Sequence, residues 1–329
     1  GTIDMPIDIM TERFKAGDSA YYFPVHRAGA LMEYLHAEKV YGIKNVPPKG
    51  FKACLFSVKI EGGSGSWLRA IAVDQPWIYN VKQLIDLSAP LRTFSMEPHT
   101  TDMKTDIPKE RRREWAKALG VTVDKVTPRG NQDKITTCTL AGTHMEAPYR
   151  CGPTVAGRPA KTIDQITSDE CVGDGVLLDF SGKPAGSAIT VADLQGELQR
   201  IRYTLKPNDI VMIRTGAEDH FDSDPRFADA GCGLVRESLF WLLDRGVKII
   251  GTDAESLDRP LGAMLEDFKK GDKQALFPVH YAGREREFWH IEKLYNLKSL
   301  PKPHGFKVSV PPISIEDGSS GWVRAVAYI

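Results

Sequence analysis

The chain predicts an α/β fold in which one complete unit is preceded by a partial second copy. Two observations carry this. Apolar runs of buried-strand length alternate with helix patterns after about Val81, the arrangement expected of sheets covered by helices. A long stretch also occurs twice, Asp4 to Val73 recurring as Asp258 to Ala327. Each copy runs from Phe-Pro-Val-His through a helix-like segment to a Glu, a Pro-containing turn, Gly-Phe-Lys and a Trp-(Leu/Val)-Arg-Ala stretch. In both copies the His stands twelve residues before the Glu, as His26 and Glu38 and as His280 and Glu292. The second copy closes the chain and the first opens it, so the expected division is a half-unit over residues 1–80 and a whole unit over 81–329.

The elements of the whole unit follow in order. Gln83-Leu-Ile-Asp-Leu reads as a short strand closed by Pro90. Gly175 to Phe180, Asp209 to Arg214 and Val247 to Gly251 are apolar runs that end at polar or glycine positions, as buried strands do. Thr190 opens a helix, because its hydroxyl can accept from the backbone N–H three residues on and Asp193 favours the helix start. A second helix, Leu234 to Arg245, places Leu234, Leu239, Leu242 and Leu243 near one face and stops at Gly246. A third is expected between His280 and Glu292. Val308 to Ile315 and Leu55 to Ile60 read as strand hairpins. The boundary between half-unit and whole unit falls near Asp74 to Asn80, where Asp-Gln-Pro-Trp interrupts the strand pattern.

Composition excludes several classes. Lys plus Arg and Asp plus Glu are 43 each, so no net field draws nucleic acid or an anionic membrane. The basic run Arg111 to Arg113 falls in an amphipathic pattern and reads as a solvated helix face. The five cysteines lie far apart without Cys-x-x-Cys, which argues against a disulfide framework or zinc knuckle and suits a reducing cytoplasm. Neither an 18-residue apolar run nor a signal-peptide pattern is found. Phosphate-binding glycine loops and a Gly-x-Ser-x-Gly elbow are absent too, against nucleotide use and serine hydrolysis.

The chemistry gathers at Gly142-Thr-His144-Met-Glu146-Ala-Pro148-Tyr-Arg150. His and Glu two apart on an extended segment point to the same side, so imidazole and carboxylate can converge on one divalent ion. Taken alone, His-x-Glu more often describes the polar face of a strand than a metal site.

The segment resembles the signature His-x-Gly-Thr-His-x-Asp-x-Pro-x-His of the cyclase family of metal-dependent hydrolases, of the bacterial kynurenine formamidase and isatin hydrolase kind. Further family-like stretches follow in order: Lys161-Thr-Ile-Asp-Gln-Ile, Ile213-Arg-Thr-Gly, Ile250 to Asp258, His280 and Ile291-Glu-Lys-Leu-Tyr-Asn-Leu. The resemblance covers about Leu84 to Ile329. It implies a swivelling β/β/α domain, usually dimeric or higher, with zinc or manganese and a reaction in which water attacks an amide or cyclic amide carbonyl. Carried over by residue, His144 matches the second signature His and Glu146 stands where Asp is usual. The first signature His falls on Leu140, and the last, which can act in proton transfer, falls on Arg150. His280 and Glu292 match the later His and Glu. The implied metal ligands are therefore His144, Glu146, His280 and Glu292, holding one ion.

Under this resemblance the function is metal-dependent hydrolysis of an amide, cyclic amide or lactone. Glu146 or Glu292 acts as the base, because a guanidinium stays charged at neutral pH. Arg150 is then the substrate-binding group, which selects an acidic substrate. The competing reading is a catalytically degenerate subunit that serves as scaffold for an active partner. The expected partners are a small-molecule substrate and further copies of the chain in a homo-oligomer, or a second cyclase-like chain. For the half-unit, His26 and Glu38 belong either to a structural appendage covering a sheet edge or dimer face, or to a site completed by another chain. Asp253, Ser256 and Asp258 follow a strand end, where a turn or capping role competes with a site role. His220 reads as part of a solvated acidic loop, Trp289 and His290 as packing or surface, and His99 as a residue near the mouth of the pocket.

Overall fold

The computed structural model describes residues 3–18, 23–29, 31–93, 98–106, 109–126, 132–222 and 224–329. In chain order the strands are β1 (Lys52–Ser57), β2 (Leu68–Val73), β3 (Leu84–Asp86), β4 (Thr101–Asp106), β5 (Gln132–Thr137), β6 (His144–Glu146), β7 (Thr154–Val155), β8 (Arg158–Pro159), β9 (Val172–Asp179), β10 (Ala188–Ile189), β11 (Ile210–Arg214), β12 (Gly233–Leu234), β13 (Ile249–Thr252), β14 (Trp289–Glu292), β15 (Phe306–Ser309), β16 (Ser320–Trp322) and β17 (Val326–Tyr328). The α-helices are α1 (Ile7–Lys15), α2 (Pro24–Ala28), α3 (Lys109–Leu119), α4 (Pro148–Cys151), α5 (Val191–Arg200), α6 (Arg236–Leu243), α7 (Leu261–Lys269) and α8 (Pro278–Ala282). No described helix is long and apolar enough to cross a membrane.

The residues divide into two compact units. The first holds Gly1–Phe51, Gly63–Gly65 and Met103–Ile135; the second holds Lys52–Gly62, Ser66–Asp102 and Thr136–Ile329. Residues 1–80 are thus shared between them. The first unit packs Met10, Phe23, Ala116, Leu119 and Val126 together, with Trp115 edge-on to Phe23 at 5.3 Å between ring centres. The charged run is helical in α3, where Arg113 and Glu114 face solvent while Ala116 and Leu119 turn inward. Pro108, at its start, lies outside the described residues.

The second unit is built on one nine-stranded sheet in the order β16-β6-β14-β13-β11-β9-β15-β17-β3. Its centre, β9, β11, β13 and β14, is parallel, as the alternation of apolar runs with helices requires. Antiparallel strands flank it, β6 and β16 on one side and β15, β17 and β3 on the other. The two-residue period of a strand sorts its side chains onto two faces. Met145, Leu177, Met212, Ile249 and Ile291 enter one core, while Val176, Leu178, Val211, Ile213 and Ile250 enter another beneath α5 and α6. Mixed α/β architecture is therefore the observed class, as the sequence implies.

Local expectations hold at α5, where the Asp193 N–H donates to the Thr190 hydroxyl at 3.2 Å and the Thr190 N–H to the Asp193 carboxylate at 2.8 Å. Two need correction. Leu234 belongs to strand β12, with α6 beginning at Arg236. Between His280 and Glu292 the helix ends at Ala282 and the chain re-enters the sheet as β14, whose four residues are all buried. The run Phe288-Trp-His-Ile supplies the aromatic and β-branched residues that fit a pleated, covered surface, and this overrides the helix-forming Glu and Arg before it.

Candidate metal centre

Antiparallel pairing of β6 with β14 sets His290 opposite Glu146 and Glu292 opposite His144. Because Met145 and Ile291 point into the core, these four polar residues project together from the other face of the sheet. His280 arrives from α8, behind Phe277, whose backbone takes a left-handed conformation at φ 52° before Pro278. Asp258 holds this turn: its carboxylate accepts from the Val279 N–H at 2.7 Å and lies 2.6 Å from His280 Nδ1.

The groups converge closely. His144 Nε2 lies 3.6 Å from Glu146 and 3.5 Å from Glu292, and His290 Nε2 lies 3.0 Å and 3.5 Å from the same two carboxylates. His280 Nε2 stands 3.3 Å from Glu146. Yet the buried Nε2 atoms of His144 and His290 make no hydrogen bond. Buried ring nitrogens that face carboxylates without hydrogen bonding to them have the donor chemistry of ligands for a cation, because a buried polar atom is otherwise costly. The opposite nitrogens are fixed: His144 Nδ1 lies 2.9 Å from the Gly142 carbonyl and His280 Nδ1 is held by Asp258, which leaves each Nε2 to face the centre.

Electrostatics agree. Burial alone lowers the pKa of His144, but Glu146 and Glu292 outweigh it and hold the imidazole up to about 9. Burial likewise opposes charging of His280 and His290, and their carboxylate neighbours raise both. Burial favours neutral Glu146 and Glu292, yet the surrounding imidazoles pull both below the usual carboxylate range, Glu146 well below it. The pocket is a concentrated negative site that demands positive charge, whether protons or a metal ion.

Sequence and structure can be compared residue by residue. Glu146, His280 and Glu292 gather within ligand reach of one another together with His290, read from the sequence as packing or surface, and His144 stands beside both carboxylates. The signal that would have found it is the spacing His290-x-Glu292, the same as His144-x-Glu146. Arg150, on α4, donates from Nε to Glu146 at 3.2 Å and borders a cavity of about 570 Å³. Glu146, His280, Glu292, Leu140 and His99 also line that cavity. Met96 and Glu97, beside His99 in sequence, lie outside the described residues. The Leu140 carbonyl accepts from the ammonium of fully buried Lys293 at 2.7 Å, and the same ammonium pairs with Glu255 at 3.2 Å. Asp253 is a structural acceptor for the Thr215 hydroxyl and the N–H groups of Thr215, Gly216 and Glu218; burial pushes its carboxyl up to about 6. His220 is held by Asp224 at 2.9 Å and lines a different cavity.

Solved structures share this architecture. Isatin hydrolase A from Ralstonia solanacearum superposes with a TM-score of 0.60 at 21% identity, over 77% of this chain and 94% of that one. The sequence model of the Cyclase family matches residues 85–259, more than half of the chain, and the chain belongs to that family. Among curated relatives, kynurenine formamidase of Erythrobacter litoralis is 26% identical over 60% of this chain and 76% of its own length. That of Salinibacter ruber is 26% identical over 61% and 84%.

Proposed function

We propose that the chain is a metal-dependent hydrolase that uses activated water to open an acidic amide, cyclic amide or lactone. The observation that carries this is the convergence of three imidazoles on two carboxylates, of which Glu146, His280 and Glu292 line a cavity large enough for a small molecule. Two relatives are kynurenine formamidases and a fold neighbour is an isatin hydrolase, enzymes whose names point to amide substrates.

A zinc or manganese ion, when bound, supplies acidification of water and polarisation of the scissile carbonyl. His144, Glu146, His280, His290 and Glu292 are the residues that would hold it. Asp258 and the Gly142 carbonyl orient two of the imidazoles so that the centre is preorganised. Glu146 faces three imidazoles and the Arg150 guanidinium, whereas Glu292 faces two imidazoles and the Leu257 N–H, so Glu292 is the less committed proton acceptor. Arg150, at the cavity wall, offers its remaining N–H groups to a substrate carboxylate or to the developing oxyanion. We place the enzyme as a homo-oligomer in the cytoplasm as part of the same proposal.

The test joins metal analysis to an assay with aryl formamides and cyclic amides such as isatin, with and without a ring carboxylate. The reading expects about one equivalent of zinc or manganese at this centre and hydrolysis abolished by chelation. A chain that resists metal loading and leaves every amide intact is the scaffold subunit instead. Arg150→Ala is expected to raise KM for carboxylate-bearing substrates about tenfold and to leave neutral ones little changed.

A further inference from the structure

The N-terminal copy repeats the geometry of the centre as well as its sequence. Asp4 accepts from the Val25 N–H at 2.7 Å and pairs with His26 Nδ1, as Asp258 does with Val279 and His280. Phe23 takes the same left-handed backbone as Phe277, at φ 46° against 52°, and Lys39 the same as Lys293, at 59° against 58°. The rings of His26 and His36 lie 4.9 Å apart and nearly perpendicular, as those of His280 and His290 do. Even the backbone support recurs: the Ile3 N–H donates to Glu38 at 3.2 Å and the Leu257 N–H to Glu292 at 3.3 Å. His26 Nε2 and His36 Nε2 stand 3.7 Å and 3.9 Å from Glu38 Oε1, so two imidazoles and a carboxylate gather within ligand reach of one point.

We infer that the N-terminal copy is a second divalent-cation site, with His26, His36 and Glu38 as its ligands and Asp4 as the positioning group for His26. The inference rests in part on the metal-centre reading proposed above, in which the same arrangement in the C-terminal copy holds an ion. Two imidazoles and one carboxylate match the donor set of open zinc and manganese sites, in which non-protein ligands complete the shell. What the N-terminal site lacks, among the described residues, is the counterpart of β6, which adds His144 and Glu146 in the C-terminal copy. Its three donors are also partly exposed, with side chains at 16%, 28% and 24%. The ion therefore binds more weakly here than at the C-terminal centre.

The experiment is a titration of the metal-free full chain with Zn²⁺ or Mn²⁺ alone, with bound metal counted after equilibrium dialysis. The expected result is about two equivalents in two affinity classes. His36→Ala and Glu38→Gln are each expected to remove the weaker class, and His290→Ala the tighter. His36 and Glu38 are partly exposed, so both variants keep the fold, with circular dichroism as the check; Glu38→Gln preserves shape while removing charge. A single class lost with His290→Ala and unchanged by His36→Ala and Glu38→Gln overturns the second site and leaves the hydrolase centre standing. A single class lost only with the N-terminal variants would instead overturn the C-terminal centre.

Discussion

Trp289 and Leu35 occupy equivalent places in the two copies, yet the first is 2% exposed and the second 99%. The same contrast runs along both segments. Leu294 and Leu297 are buried, whereas their counterparts Val40 and Ile43 are 39% and 64% exposed. The polar groups of the two copies nonetheless adopt the same arrangement. The difference teaches which part of the site is local. Asp, the left-handed Phe and the imidazole behind Pro form one hydrogen-bonded unit that is present in both copies whether or not the segment after it is buried. Burial of the following strand needs the neighbours that β14 has in β6 and β13.

The sharpest way to test that contrast is to remove ligands. His280→Ala and His290→Ala are each expected to lose the C-terminal metal and to cut hydrolysis by about a thousandfold, since water activation goes with the ion. Metal content and kcat/KM measured together check this, and full occupancy in either variant would remove that residue from the ligand set. Next comes packing. Trp289→Ala is expected to cost about 3–5 kcal/mol in a denaturant titration, whereas Leu35→Ala stays within about 0.5 kcal/mol. Equal losses would mean that Leu35 is covered in solution. Asp258→Asn keeps the shape of the turn but weakens its grip on His280, and we expect metal affinity to fall about 10–100-fold with kcat of the loaded enzyme less affected.

The smallest expected effect is a slope with pH. The raised pKa of His144, about 9 in the metal-free protein, contributes stability that is fully present below the ordinary value near 6.5 and is lost as pH rises through 9. Metal must displace that proton, so affinity should rise about tenfold per pH unit across the same interval for each proton released. Melting curves from pH 6 to about 9, with and without zinc, should therefore diverge upward. Parallel curves would mean that His144 is neutral before metal arrives.

Much of the centre could be read in advance because strand periodicity is short-range: His144-x-Glu146 declares a shared face whatever the strand pairs with. His290 escaped because the span from His280 to Glu292 reads as one helix, and only the pairing with β6 shows that Trp289–Glu292 form a strand. Asp258 could be placed at a strand end but not assigned, since its role depends on a turn twenty-two residues later. For the same reason the fold class was legible, while the position of Lys293 beneath the Leu140 carbonyl was not.

That lysine has a consequence for charge neutrality. Around the centre stand four carboxylates, Glu146, Glu292, Glu255 and Asp258, against two fixed cations, Arg150 and Lys293, while ligating imidazoles count as neutral. One divalent ion brings the assembly to zero. A second ion of the same charge would leave an excess of positive charge beside a fully buried ammonium. On the metal-centre reading we propose, Lys293 does by charge what a missing ligand does by chemistry: it favours a single ion, so restoring an imidazole at position 140 is expected to add a donor without adding a second cation.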